Sequence, residues 1–148
     1  ANVTVLSHSE SKRADALKMG AKEFIFIKDE DDLKKQEKRF DLILNAVSAK
    51  VDIASYLNTL KLDGTMVVVG LPKVPYVLGP GVLVGARRSL SGSMIGGMPE
   101  LQEMMDFAGK HNITSEVEVI KADYANTAYE RTVASDVRYR FVIDAATF

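Results

Sequence analysis

The sequence predicts an α/β fold built on a doubly wound, mostly parallel sheet. Two observations carry that expectation. Short apolar runs alternate with helical stretches along the chain, the pattern of parallel strands joined by crossover helices. The run Thr65-Met66-Val67-Val68-Val69 is rich in β-branched residues without polar alternation, as expected of a central strand covered on both faces.

The elements follow in order. Val3 to Leu6 reads as a strand. Ser9 is placed to cap a helix from about Glu10 to Met19, with Gly20 as its stop. Phe24 to Ile27 is a second strand. The acidic run Asp29-Glu30-Asp31-Asp32 reads as a solvated helix start rather than a metal site, since acids favour the positive end of the dipole and contiguous acids point in divergent directions. Phe40 to Asn45 reads as a buried strand and Ile53 to Leu60 as a helix. Asp63-Gly64 then turns the chain into the strand Thr65 to Gly70. Leu71 to Gly85, with Pro72, Pro75 and Pro80, reads as loop or short turns. Ser89 to Ile95 is a further strand, ended by Gly96-Gly97. Pro99 opens a helix to about Lys110, whose Leu101, Met104, Met105 and Ala108 form an apolar stripe suited to core packing. Glu116 to Ile120, Tyr124 to Ala134 and Tyr139 to Asp144 read as strand, helix and strand.

Composition narrows the partners. A hydrophobic share of 47% with 26% charged residues fits a globular chain and argues against disorder. The formal net charge of −1 gives no electrostatic case for nucleic acid or a membrane surface, and no apolar run reaches the roughly 18 residues of a membrane span. No charged n-region, apolar h-region and small-residue cleavage site stand at the start of the chain, so secretion is not expected; the absence of cysteine removes disulfides and thiolate metal ligands and is compatible with the cytoplasm.

The chemistry sits in the loop Ser7-His8-Ser9-Glu10-Ser11-Lys12-Arg13, which follows the first strand. In a dinucleotide-binding fold the second strand ends beside the adenosine ribose. An Asp or Glu there accepts from the ribose hydroxyls, whereas a 2′-phosphate requires donors and positive charge. Hydroxyls followed by Lys12 and Arg13 suit a phosphate. A basic first turn opposes the helix dipole, which favours a functional reason for it. The glycine-rich turn expected roughly 20 residues before this strand end is absent. The expectation is a chain that continues a coenzyme-binding enzyme just after that motif.

The order of motifs resembles the C-terminal half of the zinc-dependent medium-chain alcohol dehydrogenases, most closely their cinnamyl alcohol dehydrogenase-like, NADP-using branch. The matching stretches are Val3-Thr4-Val5-Leu6-Ser7, Ala14 to Ala21, Phe40 to Asn45, Asp63-Gly64, Val69-Gly70-Leu71-Pro72, Ser91 to Gly96 and Asp136 to Asp144. The resemblance implies a Rossmann-type sheet lacking its first strand and glycine-rich turn. It also implies hydride transfer between NADP(H) and a small aldehyde or alcohol. By the same likeness Ser7, Ser9 and Lys12 hold the 2′-phosphate. Asn45 and Val47 lie near the nicotinamide ribose, and Val69, Gly70 and Leu71 beside the nicotinamide, where Gly70 lets the cofactor approach the backbone. Ser91, Gly92 and Ser93 offer backbone groups to the carboxamide, and Arg140 stands near the pyrophosphate, where by chemistry alone Arg138 is an equally suitable donor. Ser89 to Ile95 is the family's dimer-edge strand, implying a homodimer.

The departures matter as much. The family's zinc ligands belong to a part this chain does not contain. Neither His8 nor His111 has a metal-ligand neighbour at useful spacing, so no catalytic and no metal-binding residue is assigned. Residues 1–96 are expected to form a partial NADP-binding domain, and residues 97–148 a segment returning to the catalytic domain. Zinc is expected in the parent enzyme and no turnover from this chain alone. The alternative is a residual nucleotide-binding or self-associating module without catalysis. In the order 3-2-1-4-5-6 the absent strand is internal, so the gap must be closed by direct strand pairing or by association.

Overall fold

Seven strands form from the β-branched and aromatic runs, and every pairing between them is parallel. A computed structural model describes residues 1–148, which divide into two compact units, Ala1–Met94 and Ile95–Phe148.

In the first unit β1 (Thr4–Ser7) leads through a 3₁₀ turn, Glu10–Lys12, into α1 (Arg13–Lys18) and β2 (Glu23–Phe26). Then come α2 (Glu30–Lys34), β3 (Phe40–Asn45), α3 (Ile53–Asn58), β4 (Leu60–Val68), α4 (Gly81–Val84) and β5 (Ser89–Gly92). Parallel neighbours need crossovers, and α1, α3 and α4 supply them. Instead of one sheet there are two, β1-β2 and β3-β4-β5. Direct pairing of β1 with β3 is therefore not how the gap is closed. Each strand is held by its own partner, and α2 packs against α3.

Local chemistry explains the boundaries. Asp29 caps α2, its Oδ1 accepting from the amides of Asp31 (3.0 Å) and Asp32 (3.3 Å), so the acidic run is a helix start. Asp52 caps α3 in the same way, through the Ala54 amide at 3.2 Å. Ser9 does not cap: its hydroxyl meets that of Ser11 at 2.9 Å, and the α-helix starts only at Arg13. Gly20 stops the helical stretch at φ +99°, a conformation that costs glycine little.

Asp63-Gly64 lies inside β4 rather than before it. Phe40 faces Leu60 and Leu42 faces Thr65, so three extra residues bulge out between them, with Asp63 held by Arg87 at 2.6 and 2.7 Å. The expected loop after β4 contains α4, and its Tyr76, Leu78, Val82 and Leu83 pack on the core of Ile53, Leu57, Leu60 and Met66. This covers the Met66 face of the sheet. The opposite face is open, with Leu42 at 64% and Leu44 at 67% exposure. The β-branched run of β4 thus has one covered face, not two, because only α3 and the Tyr76–Leu83 segment lie on it.

The second unit runs α5 (Met98–His111), β6 (Val117–Ile120), a 3₁₀ turn, α6 (Ala125–Val133) and β7 (Arg140–Ile143), with β6 and β7 paired. The Gly97 amide donates to Glu100 Oε2 at 2.8 Å at the start of α5, and Asn112 at φ 53° ends it. The stripe Leu101, Met104 and Met105 is exposed rather than packed in a core, and Ala128 alone in this unit is buried.

Polar contacts link α6 to β6. Arg131 donates to Glu118 at 2.9 and 3.3 Å and to Asp136 at 2.9 Å, and stacks 4.8 Å from the Phe141 ring centre. The Arg131 guanidinium, then the Arg138 amide, holds the Glu118 carboxyl below its usual range. A carboxyl depressed on folding stabilises above its unfolded value, about 4.3, and that contribution is lost as pH falls through the folded value. Amide protection in β6 and α6 should therefore weaken as pH drops below about 4. In Glu118→Gln protection should be lower at neutral pH and lack this acid limb. Exchange protection factors of both proteins between pH 3 and 7 check it.

Candidate functional site

In parallel sheets all strands end on one side, and in open α/β folds ligands sit in the crevice outside those carboxyl ends. The last residues of β1, β3 and β5 and the loops after β1, β3, β4 and β5 carry every site residue expected in the first unit.

After β1, Ser7 Oγ accepts from the Ser9 amide at 3.1 Å, and Ser9 and Ser11 share a hydroxyl–hydroxyl bond of 2.9 Å. A hydroxyl can donate once and accept twice. Ser7 therefore still has its proton to donate, and the serine pair has one proton left over. Lys12 is exposed and its ammonium makes no ion pair or hydrogen bond. Arg13, though partly exposed, is fully engaged within the chain. It donates to Glu10 at 2.5 and 3.0 Å and to the Phe24 carbonyl at 2.9 Å, over the Phe24 ring. That hydrogen-bonded pair holds the Glu10 carboxyl below its usual range. The loop's one acid is thus matched by Arg13, leaving Lys12 as the uncompensated charge of the loop that carries the hydroxyls.

The ends of β3 and β4 form one knot. Asn45 is buried. Its carbonyl accepts from the amides of Val69 (3.0 Å) and Gly70 (3.1 Å), and its Oδ1 accepts from the Val47 amide (3.1 Å). A Cβ on Gly70 would stand 2.5 Å from the Val47 carbonyl oxygen. The residue must be glycine because the chain's own backbone lies against it, where the sequence suggested an approaching cofactor. Val69 and Leu71 are exposed, at 43% and 83%.

At the end of β5, Ser91 Oγ reaches the Met66 carbonyl at 3.5 Å and the Ser93 amide donates to Val68 at 3.1 Å. The strand stops at Gly92, shorter than the Ser89–Ile95 expected, because the ladder with β4 ends where β4 does. Arg140 lies on β7 of the second unit, opposite Val117, with its side chain exposed.

Sequence reasoning did not find the cavity next to the loop after β1. It has a volume of about 210 Å³ and is lined by His8, Ile27, Asp29, Lys50, Asp52 and Tyr56 among others. His8 Nε2 lies 3.1 Å from Tyr56 Oη. Burial pushes the Tyr56 phenol's pKa up, so it stays protonated at neutral pH. The legible signal was the pair of acids before two helices: Asp29 and Asp52 are both N-caps, and the cavity lies between them. No three His, Cys, Asp or Glu side chains converge on a metal-sized point, so the residues present do not fit a zinc site. No helix is long and apolar enough to cross a membrane.

Residues 1–110 match the family described as zinc-binding dehydrogenase. The NADP-dependent alcohol dehydrogenase C 1 of Mycolicibacterium smegmatis is 52% identical over 99% of this chain and 42% of its own length. Mannitol dehydrogenase of Petroselinum crispum is 50% identical over 99% of this chain and 44% of its own. A Sorghum bicolor cinnamyl alcohol dehydrogenase structure superposes with a TM-score of 0.90 at 41% identity, over 98% of this chain and 41% of that one. A CAD from Helicobacter pylori, solved with NADP(H), gives 0.83 at 36% identity, over 99% and 42%. The chain spans less than half the length of these relatives.

Proposed function

The chain belongs to the zinc-binding dehydrogenase family and has its Rossmann-like fold, and from that premise we propose that it is the coenzyme-binding part of an NADP-dependent alcohol dehydrogenase or aldehyde reductase. The observation that carries the reading is the free, exposed Lys12 ammonium on the same loop as the Ser7 and Ser9 hydroxyls, with the neighbouring acid already paired to Arg13. An ammonium and hydroxyl donors suit a dianionic 2′-phosphate, and charge-assisted bonds are the strong ones.

In this reading the cavity beside the loop takes the adenine, with His8 and Tyr56 at its wall. The Asn45–Val47 and Val69–Leu71 segments hold the nicotinamide ribose and ring, Ser91, Gly92 and Ser93 meet the carboxamide, and Arg140 serves the pyrophosphate. The bound coenzyme supplies the hydride; the residues of this chain bind and orient it. No catalytic step is assigned to the chain itself, because its residues build no metal site. Residues 1–96 are then the coenzyme-binding portion and 97–148 belong with the catalytic domain. β5 has a free edge, which supports a homodimer through the Ser89–Ile95 segment. A cytoplasmic location and a small aldehyde or alcohol substrate complete the proposal.

The test is an amide-detected NMR titration of the 148-residue chain. NADPH and 2′,5′-ADP should shift the Ser7, Ser9 and Lys12 amides at lower concentrations than NADH and 5′-AMP do. Indistinguishable titrations for the two pairs would reject the phosphate assignment.

A further inference from the structure

Asn45 has a second set of bonds. Because the Val47 N–H can only donate, the side-chain oxygen of Asn45 must face it, and the amide Nδ2 must point the other way. There it meets Tyr76 Oη at 3.2 Å, so the phenol oxygen accepts. Asn45 is only 8% exposed, and a buried amide that loses its partner is costly.

Through this residue three segments meet. The main chain of Asn45 ties down Val69 and Gly70, its side-chain oxygen ties down Val47, and its side-chain nitrogen is tied to Tyr76. Tyr76 is anchored in turn, its ring packed on the Ile53–Leu57–Leu60–Met66 core. Tyr76, which lies outside both loops, thus holds the side-chain amide whose oxygen fixes the Val47 loop, while the main chain of the same residue fixes Val69 and Gly70.

We infer that Tyr76 is a positioning residue for the nicotinamide half of the coenzyme, acting through Asn45 to hold the Val47 and Val69–Leu71 segments at the spacing that half requires. This rests on the coenzyme reading above and adds to it a residue that touches neither phosphate nor adenine. The selectivity follows from placement. The Ser7–Lys12 loop after β1 makes none of the Asn45 bonds, so loosening Tyr76 leaves it alone.

Tyr76→Phe isolates the inference, since the ring and its core packing remain and only Oη goes. The measurement is the dissociation constant of NADPH and of 2′,5′-ADP for wild type and variant, by the same NMR titration. NADPH binding should weaken about five- to tenfold, the effect of one hydrogen bond of this class, while 2′,5′-ADP stays within about twofold. Equal weakening of both ligands would mean a merely structural role and would overturn the inference, as would no change in either. A wild-type chain that does not bind 2′,5′-ADP fails the coenzyme reading itself, and this inference with it. Should Tyr76→Phe unfold, exchange in the wild type decides: NADPH, and not 2′,5′-ADP, should slow the Val47, Val69 and Gly70 amides, and no difference between the ligands counts against it.

Discussion

Replacing Lys12 by alanine should weaken NADPH binding by roughly tenfold or more, as expected of one charge-assisted hydrogen bond, and leave NADH binding unchanged. The argument is electrostatic. Of the two cations at the start of the helical stretch, Arg13 is spent on Glu10 and on the Phe24 carbonyl, so a 2′-phosphate would meet Lys12 first. The site is open to solvent, so part of the effect should screen away at high salt; the comparison belongs at two ionic strengths. Lys12→Arg should keep most of the affinity. Arg13→Ala should behave differently: it frees the Glu10 carboxylate to repel a bound 2′-phosphate and loosens the loop from β2, so it should weaken binding and lower stability together. Calorimetry on the three variants separates the cases. An unchanged NADPH affinity in Lys12→Ala would remove the main support for the coenzyme reading.

The second large effect is on stability. Gly70→Ala brings a methyl within 2.5 Å of the Val47 carbonyl oxygen, 2.7 Å of its carbon and 2.9 Å of the Ala46 carbonyl carbon. All three are backbone atoms, which cannot rotate out of the way as a side chain could. Relief requires parting the β3 and β4 ends, at the cost of the Asn45 bonds to Val69 and Gly70. A loss of ~3 kcal/mol is expected, at the upper end for overpacking. Gly81→Ala is the control, since nothing lies within 4 Å of its added methyl. Urea denaturation of both measures the difference, and similar midpoints would show that the close approach at Gly70 does not constrain the fold.

Much of the architecture was legible in the sequence. The parallel, crossover-linked strands announced themselves through short apolar runs separated by helical stretches, and five strands of the first unit appear where the runs stand. Asp29 as a helix start followed from acid chemistry alone. Ser9 did not behave as its type suggests. Its hydroxyl had a competing partner in Ser11, and a local propensity cannot weigh such a choice. The bulge at Asp63-Gly64 looked like a strand boundary because turn residues signal reversal whether or not a ladder resumes beyond them.

By itself the sequence determined the class of fold, the order of its elements and the chemical character of the loop after β1, since each depends on residues close together in the chain. Only the tertiary structure decided which of these groups remain free to act. It committed Arg13 to Glu10, pressed Gly70 against Val47, joined Asn45 to Tyr76 and left Leu42 and Leu44 uncovered. Those outcomes are set by hydrogen bonds and steric contacts between segments far apart in sequence, and no local pattern records which partner a side chain will meet.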